Sequence, residues 1–126
     1  MAEAVVGRTL RRMLRSTGCP PDATDRYVAA NADPDRLRAA LQWYRAVRPG
    51  DLGRMGAARV RTLLVWGNQD QALGRAAAQA TADHVTPTAG YRFEEVDGGH
   101  WLPETMGADL ARRILDHVGA STRTGA

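Results

Sequence analysis

Two short strand-like segments, separated by one helix-length segment, constrain the fold of this chain more than any other feature. These runs of residues are VRTLLVW at residues 60–66 and YRFEEV at residues 91–96. β-Branched and aromatic residues in the first run are typical of a strand buried on both faces of a parallel sheet. An Ala-rich helical segment at 73–85 separates the runs, and an amphipathic helix at 104–118 follows the second. This order predicts an α/β fold in which two parallel strands are joined by a right-handed crossover.

The first part of the chain has a helical pattern instead. GCPP at residues 18–21 interrupts this pattern, and Asp33 followed by Pro34 is typical of the start of a further helix. We therefore predict a helical segment at 1–48, a Gly- and Pro-containing linker at 49–59, an α/β core at 60–119 and a loose tail at 120–126. The predicted apolar stripes are Val6, Leu10 and Leu14 in the first helix, and Leu37, Leu41 and Tyr44 in the third.

Composition argues against several classes of protein. All 17 basic residues are Arg, and they are spread among 14 acidic residues for a formal net charge of +3, so no basic block predicts nucleic-acid binding. Cys19 is the single cysteine, which excludes an intrachain disulfide and CxxC-type metal sites. The three histidines match no metal-ligand spacing, and no apolar run approaches the roughly 18 residues of a membrane span. Without a secretory signal pattern, we expect a cytoplasmic protein with no metal and no cofactor.

The loops that follow the two predicted strands carry the candidate chemistry. Asp70 follows the first strand and His100 follows the second, in DGGHWLPE. Since parallel strands place their carboxyl-end loops at one edge of the sheet, we expect Asp70 to lie within reach of a His100 ring nitrogen. A carboxylate there would orient the imidazole as a general base. The residues alone leave simpler interpretations open, in which the aspartate forms a turn or helix cap and the histidine is structural.

Residues 60–118 resemble the carboxyl-terminal segment of the α/β-hydrolase superfamily, particularly its epoxide-hydrolase and haloalkane-dehalogenase-like branch. LLVWGNQDQAL is similar to the strand and loop of the family's catalytic acid, which implies that role for Asp70. VDGGHWLPE is similar to the loop of its catalytic base, which implies that role for His100. The resemblance therefore implies a partial α/β-hydrolase fold that acts on a small molecule.

The helical segment also resembles part of this family. ALQWYRAV is similar to the end of the helical cap domain, where epoxide hydrolases have a tyrosine that assists opening of the epoxide, and the matching residue is Tyr44. Tyr44 also shares a helix stripe with Leu37 and Leu41, so packing is the alternative. Trp101 could line the pocket beside His100 or cover the terminal helix.

The nucleophile of this family has no counterpart in the sequence. No two glycines are four residues apart, which excludes Gly-x-Ser-x-Gly, and no His-Gly dipeptide begins an oxyanion-hole loop. GADLA at 107–111 imitates the aspartate form of the elbow, but it lies in the predicted terminal helix and after the histidine. We therefore expect a truncated hydrolase or half of a split one, inactive alone, that self-associates or needs a partner chain with the nucleophile. The alternative is a catalytically silent remnant that serves as a folding or interaction module.

Overall fold

A computed structural model of the chain describes residues 2–48, 50 and 56–123. The chain divides into two compact units, Met1–Gly56 and Ala57–Ala126. This boundary falls inside the predicted linker, of which residues 49 and 51–55 lie outside the described residues. The helices are α1 (Ala2–Ser16), α2 (Pro21–Ala30), α3 (Pro34–Ala46), α4 (Arg75–Ala80), α5 (Leu102–Thr105) and α6 (Gly107–Arg123), and the strands are β1 (Thr62–Gly67) and β2 (Tyr91–Val96).

The first unit contains the three predicted helices. Gly18 has a φ of +84°, a left-handed conformation that favours glycine, and it turns the chain after α1. The Asp33 side chain caps α3 by accepting a hydrogen bond from the Asp35 backbone N–H at 2.8 Å, directly before Pro34. The described part of α3 has no buried residue. The core of this unit therefore lies between α1 and α2, where the buried residues are Leu14, Cys19, Ala23 and Thr24.

The second unit is built on a two-stranded parallel sheet. Strands β1 and β2 pair in register from Thr62 opposite Tyr91 to Gly67 opposite Val96. This pairing confirms the predicted parallel arrangement, and the mixture of helices with a parallel sheet is consistent with a partial α/β fold. The buried apolar residues of this unit are Trp66, Ala78, Val85, Val96 and Leu102.

Both predicted helices of the second unit were wrong in their boundaries. The segment 73–85 is α-helical only from Arg75 to Ala80, and a 3₁₀ turn continues to His84. It starts late because the Asp70 carboxylate accepts the backbone N–H groups of Ala72 and Leu73, which holds these residues in a turn.

The predicted helix 104–118 is divided into α5 and α6, with Met106 between them. Pro103 stands in the first turn of α5, where a proline favours helix initiation, so this helix begins before residue 104. Helix α6 continues to Arg123 and so overlaps the first residues of the tail predicted at 120–126. Residues 124–126 lie outside the described residues.

Within residues 2–48, 50 and 56–123, no helix combines the length and the apolar character that a membrane span requires.

Candidate active site

Two loops lie side by side at the carboxyl ends of the strands. We call residues 67–74 the acid loop and residues 97–101 the base loop. Hydrogen bonding continues from the sheet into both loops, because the Asn68 N–H donates to the Val96 carbonyl at 2.9 Å and the Gln69 N–H donates to the Gly98 carbonyl at 2.9 Å. The parallel ladder thus runs up to the residue that precedes Asp70.

Gly67 allows the close approach of the two loops. A Cβ atom at this position would lie 2.4 Å from the Gly98 carbonyl oxygen and 2.6 Å from that of Gly99. Such contacts are far inside van der Waals distance, so any side chain at Gly67 would push the base loop away. The sequence pattern presents Gly67 only as the end of a strand, yet this glycine also sets the distance between the loops.

Asp70 and His100 meet at this edge of the sheet. His100 Nδ1 lies 3.0 Å from Asp70 Oδ2 and 3.1 Å from Asp70 Oδ1. The predicted contact between their side chains is therefore confirmed. Asp70 also forms a turn, since its Oδ1 accepts the N–H groups of Ala72 at 2.7 Å and Leu73 at 2.9 Å. The turn-forming interpretation of Asp70 and its contact with the histidine thus hold together.

The surroundings of Asp70 favour its charged form. Burial raises the pKa of Asp70, but hydrogen bonds from Leu73, His100 and Ala72 lower it, and the net result is a pKa below the ordinary 3.8. The side chain of Asp70 is only 8% exposed, whereas that of His100 is 45% exposed. A charged carboxylate against Nδ1 requires a proton on that nitrogen, so a neutral His100 carries its basic lone pair on Nε2. This tautomer follows from the hydrogen-bond partner.

Trp101 lies next to the candidate base. Its ring meets the His100 ring edge to face, with the ring centroids 5.5 Å apart and the planes at 85°. Trp101 also precedes α5, and its carbonyl accepts the Thr105 hydroxyl at 2.9 Å. Its position beside His100 agrees with a residue that lines a pocket, and that role stays a prediction.

Tyr44 lies on α3, in the first unit. The residue is 74% exposed, and its ring meets the ring of Trp43 edge to face, with the ring centroids 5.5 Å apart. Tyr44 is therefore not buried in the helical core of its unit, which was the alternative interpretation of this residue. Its role as a donor to an epoxide oxygen stays a prediction.

Several residues that support the acid loop were not predicted from the sequence. The Trp66 indole N–H donates to the Leu73 carbonyl at 2.8 Å and so holds the end of this loop. The Arg75 guanidinium lies 5.0 Å from the Trp66 ring centroid and forms two hydrogen bonds of 2.6 Å with Glu95. Only their location could have indicated this role from the sequence, because Trp66 and Arg75 flank the acid loop.

The remaining candidates for chemistry have structural partners. Asp109, the central residue of GADLA, lies in the first turn of α6 and pairs with Arg112 at 2.9 Å and with Arg113 at 2.7 Å. It is therefore part of a helix and not of a strand-to-helix elbow.

In the described ranges of the chain, no three His, Cys, Asp or Glu side chains are grouped so that they could hold a metal ion.

Comparison with known proteins supports the superfamily. No family model matches the chain, and no solved structure matches it. The chain is 32% identical over 94 residues to a curated protein of Bacillus subtilis (strain 168), the AB hydrolase superfamily protein YfhM, and the match covers 74% of the chain. The chain spans about a third of the length of this relative, 32%. This similarity supports a relationship to the α/β-hydrolase superfamily.

Proposed function

We propose that the chain supplies the acid and base of an epoxide-hydrolase-like active site whose nucleophile is carried by polypeptide outside these 126 residues. The observation that carries the proposal is the 3.0 Å contact between His100 Nδ1 and Asp70 Oδ2 at the carboxyl ends of two parallel strands. A carboxylate that holds one imidazole nitrogen leaves the other as a general base. The nucleophile would come from elsewhere in the same protein or from a partner chain.

In the first step of the proposed reaction, the substrate is bound covalently. A carboxylate nucleophile attacks an epoxide carbon, the carbon–oxygen bond breaks, and the ring oxygen leaves as an alkoxide. The resemblance implies that the Tyr44 hydroxyl donates its proton to this alkoxide, which lowers the energy of the developing charge. The product of the step is a hydroxyalkyl ester of the nucleophile and a tyrosinate.

His100 acts in the second step. Its Nε2 removes a proton from water, and the resulting hydroxide attacks the ester carbonyl. The negative charge of Asp70 stabilises the imidazolium while the tetrahedral intermediate exists. When the intermediate collapses, the diol oxygen leaves and takes the proton from His100, and the proton left on the nucleophile returns to the tyrosinate through solvent. The sum is one epoxide and one water converted to one vicinal diol.

Complementation of the chain tests this proposal. The full chain is mixed with an amino-terminal α/β-hydrolase fragment that carries an aspartate nucleophile elbow, and hydrolysis of styrene oxide is measured. We expect His100→Ala to lower kcat by about 10²–10⁴-fold and to accumulate the covalent ester, detected by intact mass. His84→Ala, at the end of the 3₁₀ turn, is the matched control and keeps full activity.

Tyr44→Phe tests the choice of an epoxide as substrate. We expect it to slow hydrolysis of styrene oxide and to leave that of p-nitrophenyl acetate unchanged, because only the epoxide needs a proton for its ring oxygen. A mixture without turnover, or turnover that does not depend on His100, would contradict the proposed function.

A further inference from the structure

A side-chain hydrogen bond joins the acid loop to the base loop. Gln69 immediately precedes Asp70, and Asp97 lies three residues before His100. The Gln69 Nε2 group donates to Asp97 Oδ1 at 2.7 Å. Gln69 thus contacts the base loop twice, because its backbone N–H also donates to the Gly98 carbonyl.

We propose that Gln69 and Asp97 are positioning residues, a clasp that holds the base loop so that His100 meets Asp70. The catalytic consequence of this inference rests on the proposed function, whereas the geometry of the clasp does not. Neither residue would touch the substrate or take part in proton transfer.

The sequence of the base loop explains why a clasp is needed. Gly98 and Gly99 separate Asp97 from His100, and glycine has more backbone freedom than any other residue. Space is limited at one of the two positions, because a Cβ at Gly98 would lie 2.8 Å from Leu102 Cδ2, whereas a Cβ at Gly99 would meet nothing within 4 Å. A side-chain bond just before the two glycines limits the orientations open to His100 without adding bulk between the loops.

Catalysis demands this restriction more than folding does. A general base must be held within about 0.5 Å and 10–20° of its working geometry. Gln69 and Asp97 are both exposed, so their hydrogen bond contributes little to the stability of the fold. Loss of the clasp should therefore change the contact between His100 and Asp70 while the chain remains folded.

Three variants of the full chain separate the clasp from the individual residues. Gln69→Met removes the donor at similar length and without a change of charge, and Gln69→Glu places a carboxylate against Asp97. In the double variant Gln69→Glu with Asp97→Asn, the new amide donates to the new carboxylate, so the bond is restored in reverse with the net charge of the original chain.

The direct readout is proton NMR of the purified chain. The Nδ1-bound proton of His100, held by Asp70, is expected to give a far-downfield resonance, and an amide fingerprint spectrum reports folding. We expect this resonance to be lost or broadened in both single variants and to return in the double variant, with the fingerprint preserved throughout. An unchanged resonance in Gln69→Met, or a double variant as impaired as Gln69→Glu, would overturn the proposal.

Activity of the complemented enzyme adds a readout of function. We expect kcat to fall about tenfold in Gln69→Met, with KM within twofold of the original value, and to recover in the double variant. If the original mixture has no activity while the NMR pattern is as expected, the proposed function fails and the clasp stands. If the mixture is active and the single variants retain both kcat and the resonance, the clasp fails and the proposed function stands.

Discussion

At the scale of single residues, Asp70 combines two tasks that are often separate. Its carboxylate fixes a turn in the acid loop by accepting hydrogen bonds from the N–H groups of Ala72 and Leu73. It also contacts Nδ1 of His100. The donors that shape the loop also favour the charged carboxylate, which the imidazolium of a general base needs beside it. The local fold and the electrostatics of the candidate site therefore depend on one side chain.

This arrangement predicts a stability that depends on pH. Because the folded-state pKa of Asp70 lies below the ordinary 3.8, its stabilising effect is complete above that value and is lost as the pH falls through the folded-state pKa. We expect Asp70→Asn to lower the free energy of unfolding by about 1–3 kcal/mol at neutral pH, and the difference to shrink below pH 3.8. Urea denaturation across this range measures it. Asp116→Asn, an exposed change on α6, is the control, and a deficit independent of pH would contradict the assignment.

Gly67 provides a steric prediction at the same scale. Gly67→Ala places a Cβ against the carbonyls of Gly98 and Gly99, so the backbone must shift, and we expect a loss of about 1–3 kcal/mol together with the His100–Asp70 contact. Gly74→Ala is the matched control, since a Cβ at Gly74 meets nothing within 4 Å and its φ of −67° suits alanine. Thermal unfolding and the downfield resonance of His100 measure both effects. Equal behaviour of the two variants would show that the close approach does not matter.

The residues that could be found from sequence were those fixed by topology. Asp70 and His100 follow strands that had to be parallel, so their meeting was predictable from the order of the elements. Gln69, Asp97 and Trp66 were missed, because their hydrogen bonds depend on side-chain directions in loops, and no periodicity in the sequence encodes these directions.

At the scale of elements, the strands were predictable and the helix ends were not. The two strands lie close to the predicted 60–66 and 91–96 because short segments with β-branched and aromatic residues favour strands. The start of α4 depends on the carboxylate of Asp70, a contact with the preceding loop that an Ala-rich pattern does not reveal. Local propensity therefore located the elements, and tertiary contacts set their limits.

Helix α6 is joined to β2 through one of two neighbouring arginines. Arg113 pairs with Glu94 on β2 and with Asp109, and its side chain is 32% exposed, whereas Arg112 pairs with Asp109 and is 73% exposed. We expect Arg113→Met to lower the free energy of unfolding more than Arg112→Met does, since the poorly exposed Glu94 loses one of its two arginine partners, Arg92 being the other. Arg112→Met, the same change one residue away, should cost at most about 0.5 kcal/mol. Urea denaturation compares them, and similar losses would contradict a special role for the pair with Glu94.

At the scale of the whole molecule, large apolar side chains remain uncovered in both units. Trp43 and Tyr44 are exposed in the first unit, and Val60, Leu115 and Val118 are exposed in the second. Each described strand also has only one strand neighbour, so its other edge is not paired with a further described strand. The chain spans about a third of the hydrolase relative, 32%, and these surfaces are where we propose that further hydrolase polypeptide packs.

In the proposed reaction the nucleophile and the base act in separate steps, and the chain supplies only the base and its acid partner. We therefore expect that the purified 126-residue chain does not hydrolyse styrene oxide, p-nitrophenyl acetate or a haloalkane. His100 activates water only against an ester that a nucleophile has already formed, and the tetrahedral intermediate needs donors for its oxyanion. The sequence contains neither a Gly-x-Ser-x-Gly elbow nor a His-Gly loop start, and the aspartate of GADLA is occupied by Arg112 and Arg113. The contributions of such catalytic residues to the rate are strongly non-additive. An acid–base pair alone should therefore give hydrolysis rates close to those in buffer without protein.

The assay compares the original chain with His100→Ala over a range of protein concentrations, since self-association through the exposed apolar residues could bring two copies together. Hydrolysis that rises with concentration and disappears in His100→Ala would show that copies of this chain complete the site without another polypeptide, and it would contradict the need for an external nucleophile. Equal background rates for both proteins, followed by His100-dependent turnover when the nucleophile fragment is added, are the expected outcome.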